Sequence, residues 1–220
     1  MKILKSFTLA SLFLACLILS SPFQGCEPKE PEPDNCDTCL MLYKPNIYIY
    51  PEERLDLFVH IEFPVGGEVI TSIPEYGQGW DVTVDTNGLI DDTYTYLFYE
   101  STQPDVWQRD TGWIVQKDTL ETFFEVNMNA FGFEGQEIQD FIDYWIPRLS
   151  EYDYYAIYPQ NEKIIESAVQ LHFSTPPDIL RLFYVVKALE DANTSIPAPT
   201  SIKGFYREGY FATEWGVILD

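Results

Sequence analysis

The chain has 220 residues, long enough for one well-cored domain, and its 46 % apolar and 16 % aromatic content supports a packed core. Its 35 Asp and Glu against 13 Lys and Arg give a formal charge of −22. A surface this negative repels phosphate backbones, and no basic run interleaves with aromatics, so nucleic acid is excluded as a partner and electrostatic docking onto anionic lipid is disfavoured.

Lys2 and Lys5 precede an apolar run over 7–19 that is too short to span a bilayer comfortably, the pattern of a cleaved secretory signal occupying 1–25. No acid lies before Glu27, so removal of that segment leaves the chain more acidic still. Gly25-Cys26 follows, a small residue directly before a cysteine. This resembles a bacterial lipoprotein processing site, which implies acylation of Cys26 and a lipid anchor at the outer membrane of a Gram-negative cell, on its periplasmic or outer side. Cys16 after Leu14-Ala15 is the rival position, but the residues at 17–19 still belong to the apolar run. Residues 27–34 alternate proline with charge and cannot bury apolar surface, so 26–43 is expected to be an extended tether of roughly 3 Å per residue. Cys36 and Cys39 stand two residues apart on it. In an exported chain that spacing suits a small structural disulfide; free thiols or a redox pair are the other readings, the latter lacking the strand-to-helix setting it needs.

The folded domain is expected over 44–220. Residues 46–50 read as a strand closed by Pro51, and 54–63 alternate with Leu55, Leu57, Val59, Ile61 and Phe63 inward and His60 outward. A short strand at 69–73 follows, then a hairpin from 80–84 through Asp85-Thr86-Asn87-Gly88 back to Leu89-Ile90. The acids near that turn do not fit a helix-loop-helix calcium loop, because Thr83 and Tyr94 fall where the first and last ligands belong. Strands are expected at 93–100 and 112–116.

The period then changes. Asp118 with Glu121 suggests a capping box, and Leu120, Phe123, Phe124, Met128 and Phe131 recur at helical spacing up to a stop at Gly132. A second helix from about Gly135 carries Ile138, Phe141, Ile142, Trp145, Ile146 and Leu149 on one stripe, with Pro147 kinking or ending it. The two form an αα-hairpin over 118–149. Strands return at 152–158, 168–173 and 179–187, the last nearly all apolar as for a central strand covered on both faces. Residues 193–201 are a Pro-rich loop, and 204–218 end the chain as a pair of short strands. The fold class is α+β, mainly antiparallel sheet or sandwich with the inserted helical hairpin.

Three motifs, Lys44-Pro45-x-Ile47-Tyr48-x-Tyr50-Pro51, Phe141-Ile142-x-Tyr144-Trp145-x-Pro147-Arg148-Leu149 and Gly209-x-x-x-x-Glu214-Trp215-Gly216, occur in this order across the domain. Together they resemble a family of uncharacterised secreted and lipoprotein-type proteins. The resemblance implies a single domain from 44 to the end and carries no activity.

Charged residues set among aromatics are the best places to look for chemistry. Lys44, Arg207, Glu214 and Trp215 are the candidate binding residues. Glu100 and Glu214 are the candidate acid and base of a glycoside hydrolase, a role that needs them about 5 to 10 Å apart. An internal ion pair of Glu214 with Lys44 or Arg207 is the structural alternative. No Gly-x-Ser-x-Gly, His-Glu-x-x-His or phosphate-cradling glycine loop occurs, His60 and His172 lack zinc-ligand spacing, and no cofactor or metal is expected. The sequence points to an envelope binding module for a glycan or a protein, with a carboxylate-dependent polysaccharide hydrolase as the alternative.

Overall fold

Alternation of apolar and polar residues builds most of the strands of the computed structural model, which describes residues 39–199 and 202–220. They are β1 (Cys39–Tyr50), β2 (Leu55–Glu62), β3 (Glu68–Ile73), β4 (Trp80–Val84), β5 (Leu97–Pro104), β6 (Trp113–Gln116), β7 (Tyr154–Gln160), β8 (Gln170–Phe173), β9 (Asp178–Leu189) and β10 (Phe211–Leu219). Helices α1 (Leu120–Phe131) and α2 (Gln136–Trp145) lie between β6 and β7, and a short α3 (Glu162–Ala168) precedes β8. A seven-stranded sheet has the order β3-β5-β1-β10-β9-β7-β6, and a three-stranded sheet the order β4-β2-β8.

These elements make three layers. The α1–α2 hairpin covers one face of the large sheet, packing Phe124, Met128, Phe141 and Trp145 onto Tyr48, Leu182, Tyr184 and Trp215. The small sheet covers the other face, setting Leu57, Val59 and Trp80 against Ile47, Tyr99, Phe183 and Ile218. Each fully buried aromatic contributes on the order of 2 to 3 kcal/mol. β9 is therefore apolar on both sides, as its sequence required. Tyr184 ties it to α1 by donating its hydroxyl to Asn127 Oδ1 at 2.6 Å.

All pairings between the named strands are antiparallel except β9 with β10, which run parallel from Asp178 opposite Phe211 to Val186 opposite Leu219. A parallel pair needs a long crossover. Residues 190–210 supply it, pinned at the end of α1 where Phe205 N–H donates to Phe131 O at 2.9 Å.

β1 carries a bulge that decides where its side chains go. Tyr43 pairs with Val217 and Asn46 with Trp215, so β1 spends one residue more than β10 across this step, and the same extra residue appears against β5. Lys44 occupies it with φ 54°, a left-handed conformation for a residue that precedes Pro45. The inserted residue inverts the alternation, so Leu42 and Ile47 face the same core although they are an odd number of positions apart.

Several local expectations are corrected. β1 starts at Cys39, so sheet structure begins ahead of Lys44. The return arm of the 80–90 hairpin is a single bridge, Val84 to Ile90, because Tyr94 N–H donates to Ile90 O at 2.8 Å and closes a second turn there. β5 accordingly starts at Leu97 and not at Thr93. No capping box forms: the residue capping α1 is Thr119, with no side-chain hydrogen bond, and Asp118 lies in a 3-10 turn over Lys117–Thr119. Gly132 does end α1, at φ 113°. The stretch expected as one strand from 168 is split, with α3 ending at Ala168 and β8 beginning at Gln170. The C-terminal segment holds one strand, β10, where two were expected.

Candidate functional site

The carboxylates singled out by sequence do not meet. On β5, Leu97, Tyr99 and Ser101 point into the sandwich core, so Glu100 projects from the opposite face of the large sheet. Glu214 lies on the sandwich side, where its Oε1 accepts from the Tyr99 hydroxyl at 2.8 Å and its Oε2 from Arg181 Nε at 2.6 Å, both side chains of that ion pair fully buried. The two candidate catalytic acids thus share no cleft. Burial pushes the Glu214 carboxyl up, while Arg181 and Tyr99 pull it down. Burial alone would lower Arg181, but Glu214 and Tyr99 override it and hold the guanidinium charge more firmly than usual. Since that charge is permanent and Glu214 is its only fully buried counter-ion among the described residues, the pair stays ionised. The expected partners of Glu214, Lys44 and Arg207, lie elsewhere, and Arg181 takes their place.

Arg207 binds a second buried carboxylate, Glu137 of α2, through Nη1 to Oε2 at 2.9 Å and Nη2 to Oε1 at 2.8 Å. Glu137 also accepts from the Tyr50 hydroxyl at 2.7 Å, Thr213 Oγ1 at 2.9 Å and the Glu134 N–H at 3.0 Å. Arg207 Nη1 reaches the Gly132 carbonyl as well, and the guanidinium lies over the Phe211 and Tyr50 rings. Both oxygens of the Glu137 carboxylate are thus taken by groups of the same chain. It locks the 190–210 crossover onto the helical hairpin. Trp215 is buried in the helix-side core against Phe141 and Tyr48, which leaves it no face for a ligand.

Lys44 is different. The bulge aims its side chain over the Tyr96 and Phe98 rings, with Nζ 4.6 and 4.5 Å from their centroids and 5.6 Å from that of Tyr144. Nζ donates to Asn46 Oδ1 and to the Tyr96 hydroxyl, each at 3.2 Å. An ammonium has three protons, so one is left over. Lys44, Ile73, Tyr94, Tyr96, Phe98 and Tyr144 line a pocket of about 340 Å³, within the size range of small-molecule sites. Burial draws the Lys44 amine below its ordinary range, Asp140 and Glu100 oppose this, and Arg148 adds to it.

The pocket walls are fixed from behind. Asn46 Nδ2 donates to the Tyr48 hydroxyl at 3.3 Å, which donates to Asp140 Oδ2 at 2.8 Å; Asp140 Oδ1 accepts from Gln136 at 2.7 Å. Tyr144 is held by Arg148, whose guanidinium carbon stands 3.6 Å above its ring centre while Nη1 caps the Tyr144 carbonyl at the end of α2 at 2.6 Å. Phe98 pairs with Ile73 on one side and Asn46 on the other, so its backbone is consumed by the sheet. Two larger hollows, of about 590 Å³ between α1 and α2 and about 630 Å³ along β6 and α1, are lined without any cation.

The remaining candidates carry less. Cys39 is disulfide-bonded, whereas Cys26 and Cys36 lie outside the described residues. His60 and His172 are exposed cross-strand neighbours with ring centres 6.0 Å apart, and His172 Nε2 lies 2.9 Å from Glu62. Among the described residues no group of three or more His, Cys, Asp or Glu is arranged to hold a metal ion. Sequence reasoning missed Arg181, Glu137 and the ring set of Tyr96 and Tyr144. Arg181 was visible as the one charge inside the apolar run of β9, and Glu137 as an acid on the apolar stripe of α2. Comparison of the chain with family models, curated proteins and solved structures finds no match.

Proposed function

We propose that the protein is an exported lipoprotein, anchored at the outer membrane through Cys26, whose folded domain is a non-enzymatic binding module for a glycan. The observation that carries this reading is the pocket of tyrosine and phenylalanine rings around Lys44. Flat ring faces bury the apolar face of a sugar at low conformational cost, and the surrounding hydroxyls serve its polar edge. Tyr94, Tyr96 and Tyr144 supply both. The anchor rests on the signal-like N-terminus; among the described residues no helix is long and apolar enough to cross a membrane.

A glycan array probed with the detergent-solubilised full chain tests the binding reading. The wild type is expected to retain a subset of glycans and Tyr144→Ala to lose them with its melting temperature preserved within a few degrees. Retention of no glycan, or full retention by Tyr144→Ala, overturns it. Membrane association unchanged by Cys26→Ser would sink the anchor.

A further inference from the structure

Among the described cations, six are ion-paired: Arg54, Arg109, Lys117, Arg181, Lys187 and Arg207. Arg148, Lys163 and Lys203 have no carboxylate within ion-pair distance but are exposed to water. Lys44 alone is both withdrawn from water and without a carboxylate partner. This happens in a chain where acids outnumber bases 35 to 13, so carboxylates for it were abundant. Withdrawing an ammonium from water without a counter-ion costs free energy, only part of which two neutral hydrogen bonds and two ring faces return. Lys44 lines the pocket, so an anion entering it could supply the missing counter-charge.

We propose that the ligand of this pocket is an acidic sugar, a uronic-acid pyranose whose carboxylate is taken by Lys44 Nζ and the Tyr96 hydroxyl while its ring packs on the aromatic wall. The proposal rests on the glycan-binding reading above and adds the ligand's charge. Tyr96 accepts from Lys44 and keeps its own proton, so Nζ and the hydroxyl are two donors 3.2 Å apart, a spacing that the two oxygens of one carboxylate can bridge. A single negative charge suits the site better than a phosphate, which carries close to two, because Asp140 and Glu100 lie near enough to act on Lys44 and repel a dianion. A peptide carboxylate is less well served, since the backbone of Phe98 in the wall is already paired on both sides by β1 and β3.

Titration calorimetry of the full chain in detergent tests this, using methyl β-D-glucuronide, methyl β-D-glucoside, glucose 6-phosphate and N-acetyl-Ala-Ala as probes. The glucuronide is expected to bind about 10- to 100-fold more tightly than the glucoside, the value of one charge-assisted hydrogen-bonded contact. Lys44→Met is expected to reduce the glucuronide to the level of the glucoside; Tyr96→Phe, which keeps the ring, is expected to lower the glucuronide by a larger factor than the glucoside. Equal binding of both glycosides, or preference for the phosphate, overturns the carboxylate assignment and leaves glycan binding standing. Preference for the dipeptide overturns the sugar. A glucuronide affinity that survives Lys44→Met overturns the role of Lys44. No binding of any sugar overturns the underlying reading together with this one.

Discussion

Arg181 and Glu214 are direct partners across the parallel β9–β10 pair, and their side chains meet at 2.6 Å in the core with neither exposed to solvent. The pair fixes the register of two strands that a long crossover separates, since a slip of one residue would turn Arg181 from the sandwich side to the helix side. Arg181 Nη1 also donates to Glu166 of α3 and, at 2.7 Å, to the Val169 carbonyl, so the same guanidinium anchors the segment leading into β8. Glu214→Gln is expected to cost about 3 to 5 kcal/mol in urea unfolding, because it leaves the fully buried Arg181 charge with only the half-exposed Glu166 as counter-ion. Replacing both residues by methionine removes both buried charges and is expected to cost clearly less. A double variant as unstable as the single would show that the pair itself stabilises the fold.

The Glu137–Arg207 cluster is a second lock with a more asymmetric outcome. Arg207→Met leaves Glu137 with the Tyr50, Thr213 and Glu134 donors, so the expected loss is only about 1 to 2 kcal/mol. Its main effect is local: the 202–210 strap loses its tie to α2 and becomes susceptible to limited proteolysis before global unfolding. Glu137→Ala strips five donor groups, two of them on Arg207, of their acceptor at once and is expected to cost about 3 kcal/mol or more. Equal global losses from the two variants, with no early cleavage within 202–210, would refute this division.

How far these contacts were legible in the sequence follows from their range. The periodicity of α1, α2 and β2 is a local property, and the helical hairpin and the alternating strand were read from it directly. α3 was missed because seven residues offer too few periods, although Asn161 carried the sign: its Oδ1 accepts the Ile164 N–H at 3.1 Å as a helix cap. The parallel pairing of β9 with β10 has no local signature, since it depends on where the 190–210 segment returns. Criteria that looked for charges among aromatics selected Lys44, Arg207 and Glu214 correctly as buried or half-buried groups. Their partners were misassigned because pairing depends on which sheet face each residue occupies, and the bulge at Lys44 changes that count midway along β1.

Lys44 itself is expected to matter little to stability. Lys44→Met removes two hydrogen bonds and the ring contacts of the ammonium, on the order of 1 kcal/mol each. The same change relieves the cost of holding an unpaired charge partly out of water, a term of similar size and opposite sign. The net shift in unfolding free energy is expected within about 1 kcal/mol. A loss above about 3 kcal/mol would make Lys44 a structural residue and its cage a packing device.

The pH dependence of ligand binding provides a separate check, because it reads the charge state of Lys44 and not its volume. Titratable and charged groups around it are Asp140 of α2, Glu100 of β5, Tyr96 and Arg148, and burial outweighs the two acids to draw the amine below 10.5. An anionic sugar needs the ammonium, so glucuronide affinity is expected to hold through neutral pH and fall as pH rises through this lowered value, earlier than for a solvent-exposed lysine. The effect on folding has the opposite sign. A lysine whose folded proton affinity is below its unfolded one makes the folded state less stable while it is protonated in both states, so stability recovers as pH climbs from the folded value toward 10.5. Wild type and Lys44→Met should therefore converge in glucuronide affinity at high pH, while wild type gains stability relative to the variant over the same interval. Affinity that falls only above 10.5, in parallel with free lysine, would remove Lys44 as the group that binds the carboxylate.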